Sequence, residues 1–198
     1  MTKKYLLDTN AYFNLLKLLR QYNENASEYP DRIKQLLDGE LCISSVTKVE
    51  IVSVLGKYAR GNNGGRNKCN CVIAEDGTTC SHYKYTPPRK KWNKKRIKAW
   101  LQLIDETITG KSTLIQLQLL PFTDKTIDEA QRVVLHALKY NFGSMDSIIA
   151  ATAKESINNR ESITVVTSDK GLKACLQQCQ IPCWDAFAQA DGVYLHIS

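Results

Sequence analysis

The sequence predicts an α/β fold with a mostly parallel sheet and helices on both faces, plus a small inserted hairpin. Short apolar segments alternate with longer segments of helical periodicity, the pattern of strands joined by crossover helices. Ser, Thr or Asn precedes several helical segments, as helix caps do. The 198 residues, 43% of them hydrophobic, suffice for a sizeable core and contain no apolar run of the ~18 residues that a membrane span needs.

The first sixty residues alternate two strands with three helices. The strands are predicted at 4–7 and 41–44, and the helices at 11–20, 29–38 and 46–60. Thr9 or Asn10 is expected to cap the first helix, and Ser44 or Ser45 the third, since each side chain can accept a hydrogen bond from a free backbone N–H. Gly39 is expected to end the second helix.

Residues 61–89 are predicted to be an insertion. The segment begins with the flexible GNNGGRN, has no helical period, and ends at the stiff Thr86-Pro87-Pro88. The main domain is therefore expected to comprise 1–60 and 90–198.

The alternation of helices and strands resumes after the insertion. The first helix, over 90–109, carries a basic face and an apolar stripe, and further helices are expected within 121–140, capped by Thr123, and over 144–157 and 171–180. The remaining strands are predicted at 114–120, 163–167 and 181–184.

The positive charge of the chain is concentrated in one segment. The net charge is +7, yet residues 61–98 hold ten Lys and Arg against two acidic residues, a net of +8, and the remainder is close to neutral at −1. Such asymmetry indicates a polyanionic partner for that segment.

The termini and cysteines indicate the cytoplasm. The start MTKKYLLDTN is not a signal peptide, since only YLL is apolar before the first acidic residue. Seven cysteines cannot all pair within one chain, and their clustering favours metal binding or buried thiols over disulfides. We therefore expect a cytoplasmic protein without a membrane segment.

Four acidic residues follow predicted strands or open predicted helices: Asp8, Glu50, Asp146 and Asp169. Taken singly, each is better explained as a helix cap or a surface residue. Taken together, they fall where an open α/β sheet presents its ligand-binding edge. Carboxylates gathered there repel one another, and the usual relief is a hard divalent cation, which predicts a phosphodiester-cleaving site.

The segments LLDTN, MDSIIAATA and VVTSDKGL, in that order, resemble those of PIN-domain nucleases, most closely the VapC-type toxin ribonucleases. The resemblance covers residues 1–60 and about 110–185, and implies a PIN-like fold. It also implies catalytic metal ligands at four positions and polar helper residues at others. The ligand positions are Asp8, Glu50, Asp146 and Asp169, and the helper positions are Asn10 and either Thr167 or Ser168.

Two features depart from the family pattern, namely the insertion at 61–89 and the absence of an aromatic residue shortly after Asp169. The resemblance implies an Mg²⁺- or Mn²⁺-dependent endoribonuclease acting on RNA, the toxin of a toxin–antitoxin pair, with a cognate antitoxin and a homodimer as expected partners. Two alternatives stay open. One is a structure-specific DNA nuclease, and the other is a non-catalytic RNA-binding protein.

The insertion carries a possible zinc site. Cys69, Cys71, Cys80 and His82 form a C-x-C and C-x-H arrangement on either side of a turn signal, which predicts a zinc-ribbon-like hairpin with a structural Zn²⁺. The alternative is an unstructured basic loop with incidental thiols.

The insertion and the helix after it also predict an RNA-binding surface. Its candidate cations are Lys84, Arg89, Lys90, Lys91, Lys94, Lys95 and Arg96. Tyr83 and Tyr85 lie among them, and aromatic rings interleaved with cations suit single-stranded RNA. The alternative is a solvated basic helix, and Trp92 and Trp100 are expected to pack inward. With some four phosphate contacts, log K would fall with log salt at a slope of about −3.

Overall fold

The computed structural model describes residues 3–22, 29–68, 81–140 and 142–188. The chain divides into two compact units. Val52–Gln102 forms one unit, and the residues on either side of it form the other. The two divisions fall inside helices.

The first unit is built on a sheet of five parallel strands. The strands are β1 (Lys4–Leu7), β2 (Glu40–Ser44), β5 (Gln118–Leu120), β6 (Ile163–Val166) and β7 (Cys183–Trp184). Their order across the sheet is β5-β2-β1-β6-β7. The helices are α1 (Thr9–Gln21), α2 (Asp31–Leu37), α5 (Asp124–Val134), α6 (Ala137–Tyr140), α7 (Ser144–Asn158) and α8 (Lys170–Gln178). Two further helices, α3 (Ser45–Arg60) and α4 (Lys94–Ile108), each run across a division between the units.

Both faces of the sheet are buried, which confirms the predicted arrangement. Successive strand residues point to opposite faces. Leu6 and Val165 belong to one core cluster together with residues of α5, α7 and α8. Tyr5 and Leu7, on the opposite face, are also buried, and α1 and α2 contact the strands β1 and β2. Strands covered on both sides are typical of parallel α/β sheets.

Helix caps explain most of the differences from the predicted elements. The cap of α1 is Asp8, whose carboxylate accepts from the amide of Ala11 at 2.6 Å, so the expectation of Thr9 or Asn10 was wrong. Ser44 caps α3 by accepting from the amide of Thr47 at 3.0 Å. Thr123 caps α5 as predicted.

The helix predicted to start at residue 90 begins instead at Lys94. Asn93 accepts from the amide of Arg96 at 2.8 Å and so caps the first turn. The strand predicted over 114–120 is shorter and comprises only its last three residues.

The second unit contains a two-stranded antiparallel ribbon, β3 (Gly65–Lys68) and β4 (Tyr83–Thr86). An isolated bridge between Asn62 and Arg89, with two backbone hydrogen bonds of 2.9 Å, closes its base. Gly61 has a φ of +67°, and a Cβ there would lie 2.4 Å from the carbonyl oxygen of Arg89. Glycine therefore permits both the left-handed backbone and the close approach.

The zinc prediction falls mostly outside the described residues. Cys69, Cys71 and Cys80 lie outside them, whereas His82 lies directly before β4 and is exposed.

Across the described ranges, no helix is both long enough and apolar enough to span a bilayer.

Candidate functional site

The site lies where the connections of the sheet diverge. From β1 the chain proceeds to β2 on one side, and it later returns to β6 on the other. A crevice at the carboxyl ends of two such strands is the usual ligand site of open α/β sheets. Asp8 follows β1 there, and Thr167, Ser168 and Asp169 follow β6.

Asp8 is anchored at the centre of this edge. It is 3% exposed, and its amide donates to the carbonyl of Val166 at 3.2 Å, which extends the pairing of β1 with β6. Its carboxylate accepts from the amide of Ala11 and from the hydroxyl of Thr167. These hydrogen bonds hold the carboxylate at the end of β1.

Thr167 joins two of the predicted acidic residues. Its hydroxyl donates to Asp8 and accepts from the amide of Asp169 at 3.0 Å. Asp169 in turn caps α8, because its Oδ1 accepts from the amide of Leu172 at 2.7 Å. Asp169 is exposed, so its second oxygen is accessible to a ligand.

Asp146 and Glu50 come from helices. Asp146 lies in the first turn of α7 as predicted, is half-buried, and accepts from the amide of Gly143 at 2.9 Å. Glu50 lies in the second turn of α3 rather than in the first, and it accepts from the hydroxyl of Thr9. Asn10 is exposed in the first turn of α1.

The four acidic residues influence one another electrostatically. Burial raises the pKa of Asp8 to about 6, against the lowering effect of its hydrogen bonds, and the charges of Asp146 and Asp169 raise it further. Burial likewise raises the pKa of Asp146, with added contributions from the charges of Asp169 and Glu50. Each of the four carboxylates therefore interacts electrostatically with at least one other, as a cation site requires.

The donor chemistry fits a hard divalent cation. The four residues offer only carboxylate oxygens, which Mg²⁺ and Mn²⁺ prefer. Asp146 uses Oδ2 and Asp169 uses Oδ1 for its hydrogen bond, so each retains a second oxygen. Within the described ranges, however, no three His, Cys, Asp or Glu side chains lie close enough to hold an ion jointly.

The candidate RNA-binding cations belong to the second unit. Arg89, Lys90, Lys91, Lys94, Lys95 and Arg96 are exposed, and Lys84 lies in β4. The guanidinium of Arg96 lies 4.3 Å from the centroid of the Trp92 ring, and that ring stacks on Trp100 with centroids 6.1 Å apart. The two Trp rings therefore pack on each other, and both residues are half-buried.

Asp185 is a residue of this edge that the sequence analysis missed. It follows β7 directly, and its Oδ1 accepts from the Ser168 hydroxyl at 2.8 Å and from the amide of Ala188 at 3.1 Å. Its Oδ2 accepts from Lys173 Nζ at 2.9 Å. Asp185 therefore fixes the turn that carries Asp169. Because Asp185 directly follows a strand, its position in the sequence could have predicted its place at this edge of the sheet.

Asp185→Ala is expected to lower the free energy of unfolding by about 2–3 kcal/mol at pH 7, since a largely buried, charged hydrogen-bond acceptor is lost. Burial raises the pKa of Asp185, but the hydrogen bonds from Lys173 and Ser168 outweigh it and lower the pKa below its ordinary value. The stabilisation is therefore present at neutral pH and is lost as the pH falls below about 4.

Urea unfolding at pH 7 and pH 3 measures this effect. Asp185→Asn is the matched control, because it keeps an oxygen that accepts from Ser168 and loses the charge and the hydrogen bond opposite Lys173. An Asp185→Ala deficit of the same size at both pH values would contradict the assignment.

The comparisons with known proteins identify the family. A family model described as PIN domain matches residues 5–175. FitAcB from Neisseria gonorrhoeae is similar over 93% of this chain and 99% of that chain, with 16% identity and a TM-score of 0.50. VapBC2 from Rickettsia felis, bound to a DNA fragment from their promoter, is similar over 92% of this chain and 99% of that chain, with 15% identity and a TM-score of 0.44.

No curated protein matches the sequence. At 16% identity, the likeness to FitAcB shows the fold alone. Because the family model spans most of the sequence and the strand order places acidic residues at one edge of the sheet, the chain belongs to the PIN domain family.

Proposed function

We propose that this protein is a metal-dependent endoribonuclease that hydrolyses phosphodiester bonds in RNA. PIN domains are typically metal-dependent nucleases, which supports the reaction class. The observation that supports this most strongly is the gathering of carboxylates at the carboxyl edge of the sheet, where Asp8 follows β1 and Asp169 follows β6. Burial raises the pKa values of Asp8 and Asp146 there, and the charges of neighbouring acidic residues raise them further. Such repulsion is relieved by a divalent cation.

Asp8, Glu50, Asp146 and Asp169 would hold Mg²⁺ or Mn²⁺. When bound there, such an ion supplies an activated water and neutralises charge on the scissile phosphate. Thr167 orients Asp8 and the backbone of Asp169 through one hydroxyl, and Ser168, bonded to Asp185, holds the following turn. Asn10, exposed two residues after Asp8, would contact substrate.

The charge of the second unit supports RNA as the substrate. Val52–Gln102 contains twelve Lys and Arg residues and only two acidic residues, Glu75 and Asp76. Incubating the protein with RNA and DNA of the same sequence, in Mg²⁺, Mn²⁺ or EDTA, tests the proposal. We expect metal-dependent fragments from RNA. If the protein cleaves DNA and not RNA, it is a DNA nuclease. If it binds RNA and cleaves neither, it is a non-catalytic RNA-binding protein.

The resemblance of LLDTN, MDSIIAATA and VVTSDKGL to VapC-type toxins supports a toxin that acts on RNA in the cytoplasm, is neutralised by a cognate antitoxin and forms a homodimer.

Induced expression is expected to arrest growth of the host cell, and Asp146→Asn is expected to relieve the arrest. Sedimentation of the purified protein measures the oligomeric state. Normal growth on expression of the active enzyme would count against a toxin.

A structural Zn²⁺ held by Cys69, Cys71, Cys80 and His82 stays a prediction of the sequence. Purified protein is expected to contain about one zinc per chain by atomic absorption, and Cys71→Ser to lose it, since a thiolate ligand is removed. Cys42→Ser is the control, because Cys42 is buried in the sheet of the first unit. Equal zinc in both variants would exclude the site.

A further inference from the structure

We propose that one face of the β3–β4 ribbon is a stacking platform for unpaired bases, so that the protein engages single-stranded rather than duplex nucleic acid. The inference deepens the proposed function and rests on it for its biological purpose. Its test requires binding only and no cleavage.

The register of the ribbon defines the face. Arg66 pairs with Tyr85, and Lys68 pairs with Tyr83. Residues directly opposite each other in an antiparallel pair share a face, and so do residues two apart along a strand. Two tyrosines along one strand and two cations along the other therefore lie on the same side of the ribbon.

The four side chains of this face are accessible. Tyr83 is 63% exposed and Tyr85 is 64% exposed. Arg66 and Lys68 are also exposed. Two neighbouring tyrosines that remain in solvent, each facing a cation across the ribbon, are suited to a ligand that has both flat rings and negative charge.

The charge of the surroundings favours the same ligand. The unit Val52–Gln102 contains twelve Lys and Arg residues against two acidic residues, a net charge of +10. This excess of positive charge makes a polyanion the complementary partner. The combination of phosphates with stackable rings identifies a nucleic acid rather than an acidic peptide or an anionic lipid surface.

The spacing of the rings indicates a strand that is not in a duplex. Tyr83 and Tyr85 are two residues apart, hence about 7 Å along the strand. Successive bases in a duplex strand are about 3.4 Å apart and cover each other's faces. Two neighbouring bases can each occupy one ring only if the nucleic acid is extended and unstacked, as in other single-strand platforms.

The base of the ribbon is fixed, so the platform does not have to form on binding. Asn62 and Arg89 exchange two backbone hydrogen bonds, and the Asn62 side chain accepts from the amide of Gly64 at 2.9 Å. Gly64, at a φ of +70°, lies so close to Pro88 that a Cβ would be 2.7 Å from its nitrogen. Preorganisation reduces the entropy lost on binding.

Fluorescence anisotropy with labelled 12-nucleotide single-stranded RNA tests the platform, with the same strand as DNA and as an RNA duplex. All proteins carry Asp146→Asn, and EDTA is present, so the probe stays intact. Tyr83→Ala with Tyr85→Ala is expected to weaken single-strand binding at least about fivefold per ring. Tyr83→Phe with Tyr85→Phe is expected to bind as the parent does, because the ring is kept. Both variants must retain the circular dichroism of the parent.

The cations are tested by matched pairs of charge removal. Arg66→Gln with Lys68→Gln is expected to make the slope of log K against log salt shallower by about 1.4, for two lost phosphate contacts. Lys57→Gln with Arg60→Gln removes equal charge from α3 in the same unit and is expected to change the slope less.

Three results would overturn the inference: undiminished binding by the folded double Ala variant, equal loss in the double Phe variant, or tighter binding of duplex than of single strand. Equal binding of RNA and DNA single strands is an expected result, since the tyrosine rings would contact the faces of the bases and not the 2′-hydroxyl groups. If the platform binds but no metal releases fragments from RNA, the inference stands and the proposed function fails. Metal-dependent cleavage of RNA together with undiminished binding by the folded double Ala variant gives the opposite conclusion.

Discussion

Asp146→Asn is expected to reduce metal-dependent RNA cleavage at least about 100-fold while the protein stays folded. Burial raises the pKa of Asp146, and the charges of Asp169 and Glu50 raise it further, so its own charge belongs to the carboxylate group that would hold the ion. Asparagine keeps an oxygen that can accept from the amide of Gly143, the hydrogen bond that opens α7. The substitution therefore removes charge but no structural contact.

Initial rates of cleavage at saturating Mg²⁺ measure this effect, together with Mn²⁺ binding by calorimetry. Asp128→Asn is the matched control, because it removes the same charge from an exposed position on α5 and is expected to retain full activity and metal affinity. A folded Asp146→Asn variant that cleaves RNA at the parental rate would refute the assignment of the site.

Asp8→Asn is expected to stabilise the metal-free protein by about 1–3 kcal/mol at pH 7.5 and to abolish cleavage. The pKa of Asp8 is raised from its ordinary value of 3.8 to about 6. The folded state therefore binds a proton more tightly than the unfolded chain does. The associated stability is fully present below about pH 4, and it is lost as the pH rises through 6.

Asparagine does not titrate, so its advantage should vanish at pH 4 and reach its full size above pH 7. It also preserves the cap of α1, since Asn caps helices as well as Asp does. Urea unfolding in EDTA at pH 4.5, 6 and 7.5 gives the profile. Asp8→Ala is the control that separates the two contributions, because it removes the charge and the cap together. A parent protein whose stability rises between pH 5 and 7 relative to Asp8→Asn would contradict the argument.

The fold could be predicted from the sequence because the signals for its strands and helices lie within short segments of the chain. Apolar segments of four or five residues and the caps Ser44 and Thr123 locate strands and helices without knowledge of contacts between distant residues. The rule that parallel strands present their carboxyl ends at one edge then places Asp8 and Asp169 near each other, and the strand order agrees with it.

Other features of the site could not be predicted from the sequence in this way. A carboxylate at a helix start predicts either a cap or a ligand, and the structure shows that the hydrogen bonds of Asp8 and Asp169 are those of caps, whatever else they bind. The sharing of the Thr167 hydroxyl between them depends on distances that a sequence does not contain. The pairing of Ser168 with Asp185 joins residues 17 apart, beyond any periodicity.

Among the residues that the structure describes, the borders of the five-stranded sheet are formed by β5 and β7, which comprise three and two residues. Borders this short present very few unpaired main-chain groups, so the sheet is a poor template for an incoming strand, and fibril-like stacking of copies is disfavoured. Any protein that recognises this part of the chain, including a second copy of it, is therefore expected to bind through side chains on the helices and not by extending the sheet.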